Sequence, residues 1–432
     1  MKAIAALSCV AVANAFILPD PKIFEQSAIK NDDRRSWWDR VPSKDSIVNT
    51  VEDGVDSLSA HIEGALHTLE DTVENKIEDL FEAHLLNEPD ISDKSIYELI
   101  SECEHTTEFA KLVNDYEDIV EVLKSTKANH TLFVPTNSAF EHIPKHHKKP
   151  SKEAIEAILK YHIGIGDYDA KRVLRTHTIP TLLDEPLLGG KPQRLRTSVG
   201  LGGVRVNFYA KVVAVNIHAS NGIIHAVNSL IIPPPFVGRE LSLLPTRFST
   251  LLLAYEKTDF VKYIHGVKST GTTVFAPSNV AFERLGYRAN AFLFNTECGL
   301  KYLKALLKYQ IVANTTLYSD AYYRPDDKDD AKVAEHYHID LPTLLDGKNI
   351  AVDVATWGGY TKVKLNGYIP ISVGDAVAKN GVIHVPARVP IPPHKHKSGS
   401  IDGEISVEEL KERLADYVDN KEKDAGWLDA EL

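Results

Sequence analysis

Cysteine is scarce in this chain, with three residues among 432. That excludes a disulfide-built scaffold, which needs several bridges in a short sequence. Positive charge is also in deficit: 49 Lys and Arg face 60 Asp and Glu, a formal net charge of −11. A nucleic-acid footprint needs a basic surface, so no nucleic-acid partner is expected. The one dense basic stretch, "PKHHKKPSK" (144–152), reads as a solvated loop. Long hydrophobic runs are missing after the N-terminus, so no segment there is expected to span a membrane. The signatures of common catalysts are missing too: G-x-S-x-G, the P-loop, H-E-x-x-H and paired-cysteine zinc spacing. Neither enzymatic activity nor a cofactor is expected. Eighteen histidines are present, but the clusters at 142–147, 335–338 and 394–397 sit among lysines or mixed charge. Without a convergent carboxylate or thiolate, no metal site is expected there. Residues 398–409 match only the second half of an EF-hand loop, with Ser398 and Ser400 where carboxylates belong.

What is present begins with a leader. Lys2, the apolar run 3–16 and Ala13-Asn14-Ala15 form a signal peptide, with cleavage expected after Ala15. The C-terminal "KDAGWLDAEL" lacks the apolar tail of a GPI signal. The mature chain is therefore expected in a secretory or vacuolar lumen or outside the cell. In that setting Asn129 (N-H-T) and Asn314 (N-T-T) are candidate glycosylation sites. Cleavage removes Cys9 and leaves Cys103 and Cys298, which either pair across the two domains or remain two buried thiols.

The chain writes much of itself twice. "TLFVPTNSAF" (131–140) returns as "TVFAPSNVAF" (273–282), and "AILKYHI" (157–163) as "ALLKYQI" (305–311). "IPTLLD" (179–184) returns as "LPTLLD" (341–346), and "NGIIH" (221–225) as "NGVIH" (380–384). Four matches in one order mean a duplicated unit of about 140 residues. The second copy is longer mainly through "YYRPDDKDDAKVAEHYH" (322–338), which reads as a flexible surface insertion.

Each repeated piece has a physical reading. "TLFV" is β-branched and aromatic, so a strand is predicted, ended by Pro135 because proline cannot continue a ladder. Thr136 or Ser278 then caps a short helix. "AIEAILKYHI" has helical apolar spacing. Asn-Gly between β-rich segments predicts a hairpin whose second strand carries His225, or His384 in the second copy. Recurrence marks these two as structural histidines. Strand, helix and late hairpins in one unit argue for an α+β fold.

These blocks resemble the fasciclin (FAS1) family, whose front motif T-x-F-x-P-x-N-x-A-F matches 131–140 and 273–282. Its tyrosine–histidine helix end matches Tyr161-His162, and its N-G-x-I-H block matches 221–227 and 380–385. The resemblance covers residues 93–235 and 239–393 and implies tandem β-sandwich-plus-helices domains. It also implies cell adhesion or cell-surface and wall contact without catalysis, through a protein or glycan partner. In animal members the Tyr-His region is a proposed integrin contact, which makes Tyr161 and His162 candidate binding residues. Core packing of Tyr161 and helix capping by His162 is the competing reading. Gln310 and Pro386 depart from the pattern, so the second copy is expected to be the more eroded, with a shortened or edge strand at Pro386. Some fungal relatives are vacuolar. That leaves a soluble vacuole-lumenal factor assisting membrane traffic or fusion as an alternative, and a carrier of small apolar ligands as another.

Between leader and first repeat, residues 16–92 form an extension. From 51 to 83 it repeats every 11 residues, aligning Val51, Ile62 and Val73, then Val55, Leu66 and Ile77, then Leu58, Leu69 and Leu80. Eleven residues at 3.67 per turn keep one face apolar, so a long amphipathic helix is predicted. Its polar face is acidic, with Lys76 nearly the only base. Self-association or docking on the first domain suits that charge better than lipid, although membrane-surface contact through 46–86 stays open. The tail 394–432 is expected to hold one short helix.

Overall fold

The computed structural model describes residues 92–141, 150–200, 203–266, 269–324, 331–332, 336–357, 360–393 and 405–418. The leader, the 11-residue repeats and most of the tail lie outside the described residues. The first copy opens with α1 (Ile96–Glu102), where Ser95 and Glu98 form a reciprocal capping box. Helices α2 (Thr107–Asn114) and α3 (Glu117–Lys124) bury Phe109, Val113, Ile119 and Leu123. Strand β1 (His130–Pro135) ends at its proline, and α4 (Asn137–Glu141) follows. Then come α5 (Lys152–Tyr161), β2 (Ile163–Ile165), α6 (Ala170–Arg175), β3 (Thr178–Glu185) and β4 (Lys191–Gly200). Strands β5 (Gly203–Val206), β6 (Ala210–Ala219) and β7 (Gly222–Val227) complete a seven-stranded sheet that closes into a barrel.

The second copy repeats the plan with more helix. It runs α7 (Val237–Leu243), α8 (Pro245–Lys257), α9 (Phe260–His265), β8 (Thr272–Phe275) and α10 (Asn279–Glu283). Next are α11 (Tyr287–Asn295), α12 (Glu297–Tyr309), β9 (Ile311–Ala313), β10 (Thr316–Leu317), β11 (Ala321–Tyr323) and β12 (Ala331–Lys332). Strands β13 (His336–Pro342), β14 (Asn349–Trp357), β15 (Tyr360–Leu365), β16 (Ile369–Ala378) and β17 (Gly381–Pro386) follow. Helix α13 (Val407–Val418) buries Leu410 and Leu414 against this domain. The large sheet has the order β13-β14-β15-β16-β17-β8-β9, and β10-β11-β12 form a separate small one. The chain is thus α+β, with two tandem domains.

The hairpins form, but their glycines sit one step later than the motif suggests. Ala219 pairs with Gly222 and Ala378 with Gly381, so each glycine opens the return strand rather than turning the corner. Their φ values are 148° and 156°. A Cβ at Gly222 would lie 1.9 Å from the His130 carbonyl oxygen, and one at Gly381 would lie 2.0 Å from that of Thr272. Glycine is required because β1 and β8 run parallel against these strands at close quarters.

Two expectations about the second copy need correction. β17 is not shortened by Pro386: it has six residues, as β7 has, and lies between β16 and β8. Pro386 stands at its final position, where no further ladder bond is needed. The shortening falls on the partner instead, since β8 has four residues where β1 has six. The segment 322–338 is not wholly a surface insertion either. Tyr322 and Tyr323 belong to β11, and Tyr323 is buried at 3% exposure.

Candidate functional site

Tyr161 and His162 end α5 facing inward, each with 0% exposure. The Tyr161 hydroxyl donates to Arg194 O (2.9 Å) and accepts from Asn207 Nδ2 (2.8 Å). His162 Nε2 accepts the Ile231 N–H (3.0 Å), which leaves Nδ1–H to donate to Ile158 O (2.7 Å). Burial lowers the imidazole pKa to about 4, so the ring is neutral. Neither side chain reaches the surface, which corrects their reading as a partner contact. Burial satisfies the helix end and the segment after β7 internally.

His225 and His384 repeat one arrangement. His225 Nε2–H donates to Tyr168 O (2.7 Å), and its Nδ1 accepts from Asn216 N (3.4 Å). His384 Nε2–H donates to Leu317 O (2.7 Å), and its Nδ1 accepts from Asp375 N (3.3 Å). Asn216 and Asp375 occupy the same left-handed backbone region, at φ 57° and 58°. Each histidine therefore bolts the segment after β2 or β9 to the irregular middle of the long hairpin. With both ring nitrogens engaged by backbone, neither ring is placed to act as a base on a substrate.

The densest polar cluster joins the two copies. Arg194 on β4 is buried at 6% exposure. Its Nε donates to Thr178 Oγ1 (2.7 Å), Nη2 to Thr178 O (3.1 Å) and Nη1 to the Tyr323 hydroxyl (3.1 Å). Its guanidinium also lies over the Tyr318 and Tyr323 rings, 5.5 and 5.9 Å from their centroids. From the second copy, Asp320 accepts the backbone N–H of Thr178 (2.8 Å) and of His177 (3.2 Å), and the Thr178 hydroxyl as well. Burial opposes the Arg194 charge, but Tyr323 and Asp320 outweigh it and hold the guanidinium protonated. Gln193 Nε2 reaches Ala378 O (3.0 Å), and Arg196 Nε reaches Gly374 O (2.8 Å). Leu188 completes the seam by packing among Tyr318, Ala321, Tyr323, Val377 and Val382. Sequence reasoning missed this site. Its one signal was a tyrosine pair inside a polar insertion.

Of the candidate glycosylation sites, both are exposed and stand at equivalent ladder ends. Gly166 N donates to Asn129 O, and Asn314 N donates to Gly271 O, each at 3.1 Å. The Asn129 amide donates to Asp167, whereas Asn314 Oδ1 accepts from Thr270 N (2.9 Å). Cys103 is buried and Cys298 exposed, both as free thiols, which corrects their possible pairing and, for Cys298, its expected burial. Burial pushes the Cys103 thiol pKa up. Among the described residues no group of three or more His, Cys, Asp or Glu is arranged to hold a metal ion. No helix there is long and apolar enough to cross a membrane. An apolar groove of about 330 Å³ lies between α8, α10 and α11, walled by Leu253, Phe282, Tyr287 and Phe294. Asn290 lines it with a buried, unpartnered Oδ1.

A family model described as the fasciclin domain matches residues 104–233 and 246–392. Aurofusarin biosynthesis cluster protein S of Gibberella zeae is 28% identical over 357 residues, 75% of this chain and 86% of that protein. Fasciclin-1 of Schistocerca americana is 25% identical over 266 residues, 59% of this chain but only 38% of the relative. A solved FAS1 domain pair from the insect cell adhesion molecule Fasciclin I aligns with a TM-score of 0.31 at 16% identity, covering 65% of this chain and 95% of that one.

Proposed function

The chain belongs to the fasciclin domain family, and on that premise we propose that it is a two-domain binding module of the cell-adhesion or surface-contact type, working without catalysis. The observation that carries this reading is where the repeated polar residues point. Tyr161, His162, His225 and His384 are all buried with their polar atoms engaged internally. Contacts of the buried Arg194 and the half-buried Asp320 hold one copy against the other. What such a protein offers outward is a surface set by the fixed placement of two domains. The N-terminal run expected to be a signal peptide supports a secretory route, with the outside of the cell as the destination of this reading. Sedimentation of the labelled full-length protein with intact cells and isolated wall tests the reading. Saturable retention on either supports it, and passage of all the protein into the supernatant overturns it.

The groove on the second domain supports a second reading, carriage of a small apolar ligand. Its volume of about 330 Å³ is at the lower end of the range for ligand pockets. Native mass spectrometry of the purified chain tests this, with a bound apolar mass expected and a bare chain contradicting it.

A further inference from the structure

The duplication supplies an internal control for backbone strain. The turn after β5, Asn207-Phe208-Tyr209, matches Asn366-Gly367-Tyr368 after β15. Hydrogen bonds fix the correspondence. Asn207 N donates to Arg196 O and Asn366 N to Ala351 O, each at 2.8 Å. In return Asn207 Oδ1 accepts from Arg196 N (2.9 Å), and Asn366 Oδ1 from Ala351 N (3.3 Å). The second residue of each turn is left-handed, with φ 68° at Phe208 and 78° at Gly367. Glycine adopts that region freely, whereas a phenylalanine held there is strained. The first copy therefore keeps a strained residue at a position that its duplicate fills without strain.

The contacts of Phe208 supply a reason. At 44% exposure it is no core residue, yet the Arg196 guanidinium lies over its ring, 4.1 Å from the centroid. Beyond the stack, Arg196 Nε donates to Gly374 O of the second copy (2.8 Å). Gly374 lies in the stretch between Val373 and Ala376 where the β16–β17 register shifts. Burial opposes the Arg196 charge, and the neighbouring Asp375 of the second copy supports it. The residue matching Arg196 is Ala351, so guanidinium and ring are present together in the first copy and absent together from the second.

We propose that Phe208 and Arg196 form a clamp that fixes the first domain against the second. The strained turn presents the ring, the ring holds the guanidinium, and the guanidinium grips the irregular middle of β16. The clamp deepens the surface-contact reading and rests on it in one respect: only if the outward surface depends on fixed domain placement does the clamp shape that surface.

Hydrogen exchange of the full-length protein tests this, because two amides report the seam. Thr178 N–H is bonded to Asp320 (2.8 Å) and Gly271 N–H to Leu187 O (2.7 Å), each across the copies. Phe208→Gly is expected to speed exchange at both by about fivefold. Amides of the β5–β6 hairpin should exchange no faster, since glycine relieves the turn. Phe208→Ala keeps the strained backbone without the ring and should speed both seam and hairpin. Arg196→Ala should match the seam effect of Phe208→Gly, with the double variant exceeding either by less than about twofold. Retention of Phe208→Gly on cells or wall should fall by roughly threefold, as pre-organisation is lost. Unchanged seam exchange in Phe208→Gly overturns the clamp, and a fall in retention alone assigns the exposed ring to the partner itself. Seam effects that multiply in the double variant also overturn it, because ring and guanidinium then act independently. A loosened seam with full retention leaves the clamp standing and overturns the surface-contact reading instead.

Discussion

At the end of α5 the first copy places His162, and at the end of α12 the second copy places Gln310. Both are buried. His162 bridges Ile158 O and the Ile231 N–H, whereas neither amide atom of Gln310 has a partner. The reason lies at the far end of the bridge. The residue matching Ile231 is Pro390, which has no N–H to give. A buried polar side chain is stabilising only where its partner exists, and here the donor exists on one side of the duplication alone. Asn216 and Asp375 teach the converse. There the change from amide to carboxylate accompanies a new donor, because Asp375 accepts both the backbone N–H (2.8 Å) and the hydroxyl (2.5 Å) of Ser319.

The comparison can be broken most forcefully at the seam, where the copies stop being independent. Arg194→Ala removes a buried guanidinium that bonds Thr178 and the Tyr323 hydroxyl and offsets the Asp320 charge, while Asp320 keeps the Thr178 and His177 donors and Tyr323 keeps Pro192 O. A loss of about 3–5 kcal/mol is expected, read as earlier urea unfolding and as separation of one transition into two. Acid comes next. Burial pushes both His162 and His225 down to about 4 from 6.5. The unfolded chain takes up protons near pH 6.5, while the folded rings refuse them until about pH 4. Their contribution is therefore complete above pH 6.5, falls as pH drops through this window and levels off below it. The loss is on the order of 3 kcal/mol per ring, measurable as a slope in unfolding free energy between pH 7 and 4. His162→Gln should remove the His162 share of that slope and leave that of His225, making this position of the first copy resemble the second.

The smallest effects sharpen the comparison best. His162→Leu leaves the Ile231 N–H and Ile158 carbonyl without their side-chain partner and is expected to cost about 2 kcal/mol. Gln310→Leu removes two unpaired buried atoms and is expected to be neutral or stabilising by about 1 kcal/mol. Opposite signs at matched positions in chemical denaturation would carry the argument, and equal losses would sink it.

Much of this fold was legible in the sequence because its signals are local. The duplicated blocks, the proline that ends β1, the helical spacing of α5 and the hairpins all act within a few residues. The core position of Tyr161 follows from that helical spacing too. The seam was not legible, because it joins unlike parts of the two copies: β3 and β4 of the first meet β11, β16 and the Asp320 turn of the second. Its partners lie far apart in sequence, 129 residues for Arg194–Tyr323 and 185 for Gln193–Ala378. Repetition reveals what each copy does alone and is silent about which faces meet. Tyr323 was hidden for a further reason: its neighbours from Arg324 onward are polar and charged, so composition marked the segment as surface.

The seam of Arg194 with Tyr323 and of Asp320 with Thr178 and His177 makes the two copies one cooperative body. Differential scanning calorimetry of the full-length chain at neutral pH tests it most directly. The account predicts a single endotherm spanning both domains, with calorimetric and van't Hoff enthalpies in agreement. Two resolved endotherms, each with the enthalpy of one domain, would contradict it.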